Sequence, residues 1–243
     1  MQIHSTLRMG AFHSNHCEDF LIYEPAGTHH WLFAVMDGCT MGCESHFAAA
    51  LCGKLLRKVA KKHFYLSDFD EAENNTAFLK VVLNEMVLEL KQVKNSLDLD
   101  VNELLTTLVL ALVDTKEKNA EVVTIGDGLV SVDGKITVFD QNDKPDYLGY
   151  HLADDFESWY KTLDQRISIK GFKELGLATD GIFTFRKKQG NTTQDDWKLH
   201  ADFLSHSSTE QHPNWLTNQL NELTDNGKWI LNDDLAIIRI ISA

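Results

Sequence analysis

The stretch HWLFAVMDGCTMGCESHFAAALCGKL, His30–Leu55, sets the plan of the chain. Its apolar run Trp31–Met36 has the length and composition of a buried strand. The run stops at Asp37-Gly38, a short polar turn follows, and a helical pattern begins. Phe47, Leu51, Leu55 and Val59 recur every fourth residue, with Ala48, Cys52, Leu56 and Ala60 beside them, so one face of a helix reaching about His63 is apolar. A carboxylate at the mouth of a buried strand is costly unless a cation or hydrogen-bond donors compensate it. Taken alone, Asp37 also reads as an ordinary turn aspartate.

Outward from this stretch the pattern alternates strands and helices. Gln2–Ala11 and Asp19–Tyr23 read as strands before it. Asn74–Val93 reads as a second helix, with Phe78, Leu79, Val82, Leu83, Met86, Leu90 and Val93 on one face. Leu104–Val113, LLTTLVLALV, has the β-branched and leucine content of a central strand. Glu121–Ile125 and Leu129–Val132 follow, and Asp133-Gly134 signals a tight hairpin into Ile136–Phe139. Asp140–Thr162 has no strong period and is read as a long, partly helical excursion. Ile167–Ile169, Glu174–Thr179 and Leu235–Ile241 close the set of strands, with helices expected around Asp196–Leu204 and Asn214–Leu223. No repeat or linker divides the chain, so residues 1–243 are expected to form one domain.

The chain carries 23 Lys and Arg against 36 Asp and Glu, a formal charge of −13. That balance argues against nucleic acid or an anionic membrane as partner. The start, MQIHSTLRMGAF, lacks a secretory pattern, and no run has the length of a membrane span. With four cysteines and no CxxC pair, a reduced, cytoplasmic protein is expected. A zinc cluster drawn from His13, His16, Cys17, His29, His30, Cys39, Cys43 and His46 lacks any standard ligand spacing.

Carboxylates recur at strand ends: Glu18-Asp19, Asp37-Gly38, Asp180-Gly181 and Asp233-Asp234. Together they suggest an all-oxygen site for Mg²⁺ or Mn²⁺, because like charges crowd into one cleft only around a cation. In order, Glu18-Asp19, AVMDG, TTLVLALV, TIGDG, LATDGI and NDDLAIIRI resemble the metal-dependent protein phosphatases of type 2C, from about residue 10 to 241. The resemblance implies an α+β fold: a four-layer αββα sandwich of two antiparallel sheets flanked by helices. It implies a serine/threonine protein phosphatase that hydrolyses phosphoserine and phosphothreonine with a water activated at a binuclear Mn²⁺ or Mg²⁺ centre. Phosphorylated proteins are then the partners, and a monomer is expected.

By this resemblance Asp37 bridges the metals and Gly38 lends its carbonyl. Asp180 and Asp233 complete the first metal, and Asp19 and Glu18 reach the second largely through water. Asp127 of TIGDG matches a near-site aspartate, and Asp98 or Asp100 matches a ligand of a third ion. The family's phosphate-gripping arginine falls near Ser14, where the chain has only Arg8 at a distance. His13 and His16 are the candidates left for that role, and Arg186, just after the Asp180 turn, reads as a surface residue rather than a substrate contact. Cys39 stands where eukaryotic members carry a histidine proposed as general acid, and its thiol is a candidate for oxidation. Asp140–Trp159 falls where bacterial members carry a mobile flap; the plainer reading is an acidic loop with buried aromatics. The alternatives are an inactive binding or regulatory module of the same fold, or another two-metal phosphoester hydrolase.

Overall fold

The structure is a computed structural model, and it describes residues 1–66, 74–141, 145–189, 202–205, 212, 214–226 and 228–242. Its strands are β1 (Gln2–Arg8), β2 (Phe20–Pro25), β3 (His30–Met36), β4 (Leu108–Asp114), β5 (Asn119–Ile125), β6 (Gly128–Val132), β7 (Lys135–Phe139), β8 (Arg166–Lys170), β9 (Glu174–Ala178), β10 (Phe185–Lys187), β11 (Trp229–Leu231) and β12 (Leu235–Ile241). Its helices are α1 (Ser45–Leu66), α2 (Asn75–Leu97), α3 (Phe156–Thr162), α4 (Asp202–Ser205) and α5 (Trp215–Asp225). One antiparallel sheet has the order β1-β12-β9-β6-β7, the other β2-β3-β4-β5-β8.

The continuous apolar runs are explained by burial on both faces. In β3, Phe33 and Val35 meet Ile238, Ile240 and Leu177 between the sheets, while Leu32, Ala34 and Met36 face α1 and α2. In β12, Leu235 and Ile237 pack outward against Trp215, Leu216 and Leu220 of α5 and Leu204 of α4. Helices on both outer faces of two stacked sheets give the four-layer α+β sandwich.

Helix α1 lies close on β2 because residue 53 is glycine: a Cβ there would stand 2.4 Å from Cδ1 of Phe20. Asn74 caps α2 by accepting from the Ala77 N–H at 2.9 Å. The antiparallel helix pair is trimmed by Lys58–Glu89 at 2.6 Å and Lys62–Glu85 at 2.8 Å.

Several elements differ from the sequence reading. The first strand ends at Arg8, and the fourth begins at Leu108, because Leu104–Thr107 turn to meet the Asp37 loop. The pairing of β10 with β11 carries no sequence signal, each strand being only three residues long. Most of the helix expected at Asp196–Leu204 lies outside the described residues; α4 covers its end. The excursion after β7 is packed into the core from Tyr147 on, with Leu148, Leu152 and Trp159 buried and the Leu148 N–H donating to the Thr106 carbonyl at 3.0 Å. Residues 142–144 of that excursion lie outside the described residues.

Candidate active site

Antiparallel pairing brings the acidic strand ends together. Phe20 pairs with Met36, so the start of β2 lies beside the end of β3. Ile237 pairs with Ala178, so the start of β12 lies beside the end of β9. Leu129 also pairs with Ala178, which adds Asp127 at the same edge. Both sheets thus present their carboxylates at one end of the sandwich.

Backbone and side chain then fix each group. The Thr106 hydroxyl and the Thr107 N–H both donate to the Asp37 carbonyl at 2.8 Å. The Asp37 N–H donates to the Thr107 hydroxyl at 3.2 Å. Gly38 is required by close approach, since a Cβ there would stand 2.1 Å from the Ser45 carbonyl oxygen. The buried Thr179 hydroxyl donates to Asp19 Oδ2 at 2.6 Å, tying one sheet to the other.

The carboxylates act on one another. Asp19 and Asp37 lie close enough that each shifts the other's ionisation. Burial pushes Asp19 up to about 8, with repulsion from Asp180 and Asp234 adding to it. Burial, then the charges of Asp19 and Asp180, hold Asp37 well above the carboxylate range. Asp180 is pushed to about 6 by burial, then by Asp233 and Asp127, and burial also raises Asp233. Asp37, Asp180, Asp233 and Asp19 therefore share one electrostatic neighbourhood, joined by Asp127, which accepts from the Gln141 N–H at 2.8 Å. Among the described residues, no three His, Cys, Asp or Glu side chains stand together at metal-holding spacing. The donor set is nonetheless all oxygen and repulsive without a cation, as suits a hard divalent ion.

Other expected site residues are placed differently. The buried Asp234 accepts from the Gly10 N–H at 2.7 Å and from the Glu18 N–H, and faces His13 Nδ1 at 2.8 Å. Burial opposes a charge on His13, but Asp234, with Glu18 and Asp233 behind it, outweighs that and raises its pKa. His13 is thus engaged by carboxylates, while His16 stacks on His46 with ring centroids 4.1 Å apart. Glu18 accepts from the Thr40 hydroxyl at 2.9 Å and from the Ser45 hydroxyl. Cys39, only 5% exposed, packs with Leu105 and Tyr147. Asp100 caps the turn Val101–Glu103, accepting from the Asn102 N–H at 2.9 Å, and Asp98 is the left-handed C-cap of α2 at φ 55°. Arg8 is turned toward α5, donating to Asn221 at 2.8 Å, and Arg186 is exposed on β10. His29 and His30 lie at the opposite end of β3 from Cys39, so the cysteines and histidines do not gather.

The sequence reading assigns no role to Thr106, Thr107 or Thr179, and it names Asp234 and His46 without finding their partners His13 and His16. Of these only the threonine pair has a local signal, its place at the head of a strand; the others are polar residues whose partners are far along the chain.

The profile of protein phosphatase 2C matches residues 11–221. The chain belongs to the protein phosphatase 2C family, a family of metal-dependent protein serine/threonine phosphatases. Curated protein sequences contain no match to it. Among solved structures, a substituted bacterial serine phosphatase aligns with a TM-score of 0.66 at 16% identity, over 99% of this chain and 98% of that one. The serine/threonine phosphatase Stp1 from Staphylococcus aureus aligns with a TM-score of 0.60 at 15% identity, over 98% and 94% of the two chains. The phosphatase domain of the cell fate determinant SpoIIE from Bacillus subtilis, with a fragment of its regulatory domain, gives 0.60 at 15% identity, over 99% and 63%. At such identities the protein phosphatase 2C fold is what these structures share with this chain. Among the described residues, no helix is long and apolar enough to cross a membrane.

Proposed function

We propose that this protein phosphatase 2C chain hydrolyses phosphoserine and phosphothreonine in proteins with Mn²⁺ or Mg²⁺ held by Asp37, Asp180 and Asp233, the Gly38 carbonyl, and Asp19 and Glu18 largely through water. The observation that carries this reading is the mutual repulsion of Asp19, Asp37, Asp180 and Asp233 at one end of the sandwich. A protein that only needed a turn would not gather acids until their pKa values rise. Bound ions would supply a water of lowered pKa and positive charge for the phosphoryl oxygens. The chain's own part is positional. Thr106 and Thr107 hold the Asp37 backbone, Thr179 holds Asp19, and Thr40 and Ser45 hold Glu18. Asp98 and Asp100, the candidates for a third ion, stand at the end of α2 and at the turn after it, where Asp100 also serves a capping box.

We read residues 1–243 as one domain, because β1 pairs with β12 along its whole length, and we expect it to act as a monomer. The four free thiols support a reducing, cytoplasmic setting, and the charge of −13 supports protein rather than nucleic acid as substrate.

The test is hydrolysis of p-nitrophenyl phosphate and of a phosphoserine peptide with Mn²⁺. Chelation and Asp37→Asn are each expected to lower the rate by at least about a hundredfold, while circular dichroism stays unchanged. Cleavage that survives both would overturn the assignment. The second reading, a binding module without turnover, is favoured by the lack, among the described residues, of any lysine or arginine lining the cleft beside the carboxylates. It would show as calorimetric Mn²⁺ binding lost in Asp37→Asn with no phosphate release from either substrate.

A further inference from the structure

Beside the carboxylates lies a cleft of about 420 Å³ between the loop before β2 and the turn into α1. Its inner wall is His13, 3.8 Å from Asp233, and Glu18. Its outer wall is Phe12, 70% exposed, and the stacked rings of His16 and His46. Glu44 stands at the rim. The two acids of the cleft differ in what they have to do. Glu18 is occupied by Thr40, Ser45 and His13. Glu44 is exposed, and among the described residues no hydrogen bond or ion pair engages its carboxylate.

We propose that this cleft receives the polypeptide next to the phosphorylated residue and selects an arginine there, through Glu44 and the His16–His46 stack. The proposal rests on the phosphatase reading of the neighbouring carboxylates and names what that site prefers. A guanidinium is flat, always charged and weakly hydrated; it lies on a ring face and pairs with a carboxylate at the same time. The outer wall offers such a ring face, and Glu44 offers the carboxylate. Among the described residues no lysine or arginine lines the cleft, and the charge of His13 is met by Asp234 and Glu18. Its volume exceeds that of one side chain, so the backbone of a bound segment can enter with it. Lysine, compact and strongly hydrated, is expected to be the weaker choice.

The experiment measures binding by fluorescence anisotropy, using the full chain with Mn²⁺ and peptides whose phosphoserine is replaced by its non-hydrolysable phosphonate analogue. Each peptide carries a single arginine at successive positions on either side of the analogue, against an all-alanine control. One position is expected to tighten Kd by about three- to tenfold, the scale of an exposed pair assisted by stacking. Glu44→Lys should abolish or invert that preference, and His46→Ala should weaken it. Neither variant should change hydrolysis of p-nitrophenyl phosphate, which has no polypeptide to fill the cleft. Equal Kd values for arginine and alanine at every position, or a preference untouched by Glu44→Lys, would overturn the subsite. Loss of p-nitrophenyl phosphate hydrolysis by the unaltered protein bears on the phosphatase reading instead, because the binding comparison needs no turnover.

Discussion

Asp19 and Asp37 are held toward the protonated form, first by burial and then by the neighbouring carboxylates. Asp19, Asp37, Asp180 and Asp233 are all easier to protonate in the folded chain than unfolded, where they ionise at about 4. Folding of the metal-free protein therefore takes up protons. The stability this contributes is complete below about pH 4 and is lost as pH rises past about 6 for Asp180 and about 8 for Asp19. His13 and His151, also raised, add in the same direction. With chelator present, the melting temperature is expected to fall from about pH 5 to about pH 8. Asp19→Asn should reduce that slope, and Mn²⁺ should restore stability at the alkaline end. A flat or rising profile would show that the acids are not coupled as described. At this scale the sequence and the family resemblance picked out acids that the fold gathers at one end, each beside a turn signal. It did not disclose their orientation. Asp233 and Asp234 are neighbours of one chemical type, yet one side chain is 42% exposed and the other 1%. Cys39 follows Asp37 by two positions but is buried against Leu105 and Tyr147, which no local spacing indicates.

Elements meet in this protein where small residues let them. Gly53 brings α1 down onto the Phe20 ring. Alanine normally stabilises a helix interior by about 1 kcal/mol over glycine. Here the added methyl must displace the ring, so Gly53→Ala is expected to cost about 1–3 kcal/mol in urea denaturation. In a Phe20→Ala background the same change should turn neutral or stabilising, because the obstructing ring is gone. Equal effects in both backgrounds would disprove the packing account. The same helix was legible from its apolar period, and so was its partner α2, because amphipathic spacing survives in sequence. The head of β4 was not. Leu104–Thr107 have strand composition, but Thr106 and Thr107 give their hydrogen bonds to the Asp37 loop, and that tertiary demand overrides propensity. The excursion after β7 likewise has no period because its aromatics are buried from a turn and a short helix; His151, clasped by Asp146 and Asp154 at 2.8 Å each, stacks on Trp159.

The molecule as a whole is two sheets fastened at the end that carries the acids. Asp234, at the start of β12, reaches Gly10, Glu18 and His13 before β2. Asp234→Ala would orphan two backbone donors and one imidazole, and is expected to cost about 3–5 kcal/mol of global stability by denaturant melting. Asp234→Asn, which keeps one acceptor, should cost less. A loss under about 1 kcal/mol for the alanine variant would mean that Asp234 does not fasten the sheets. This fastening was invisible in the sequence because its partners are more than two hundred positions apart. The sandwich came from the family resemblance; the patterning alone showed strands without polar alternation, as burial on both sides requires. The four thiols lie at graded depth in this body: Cys43 on the surface, Cys17 half-covered, Cys39 behind Asp37, and Cys52 wholly enclosed in α1 with its ionisation pushed up to about 12. An alkylating reagent would therefore read the chain like a depth gauge, marking Cys43 at once and Cys52 only when the molecule opens throughout. The rate at Cys39, with and without Mn²⁺, would time the loosening of the acidic end separately from everything else.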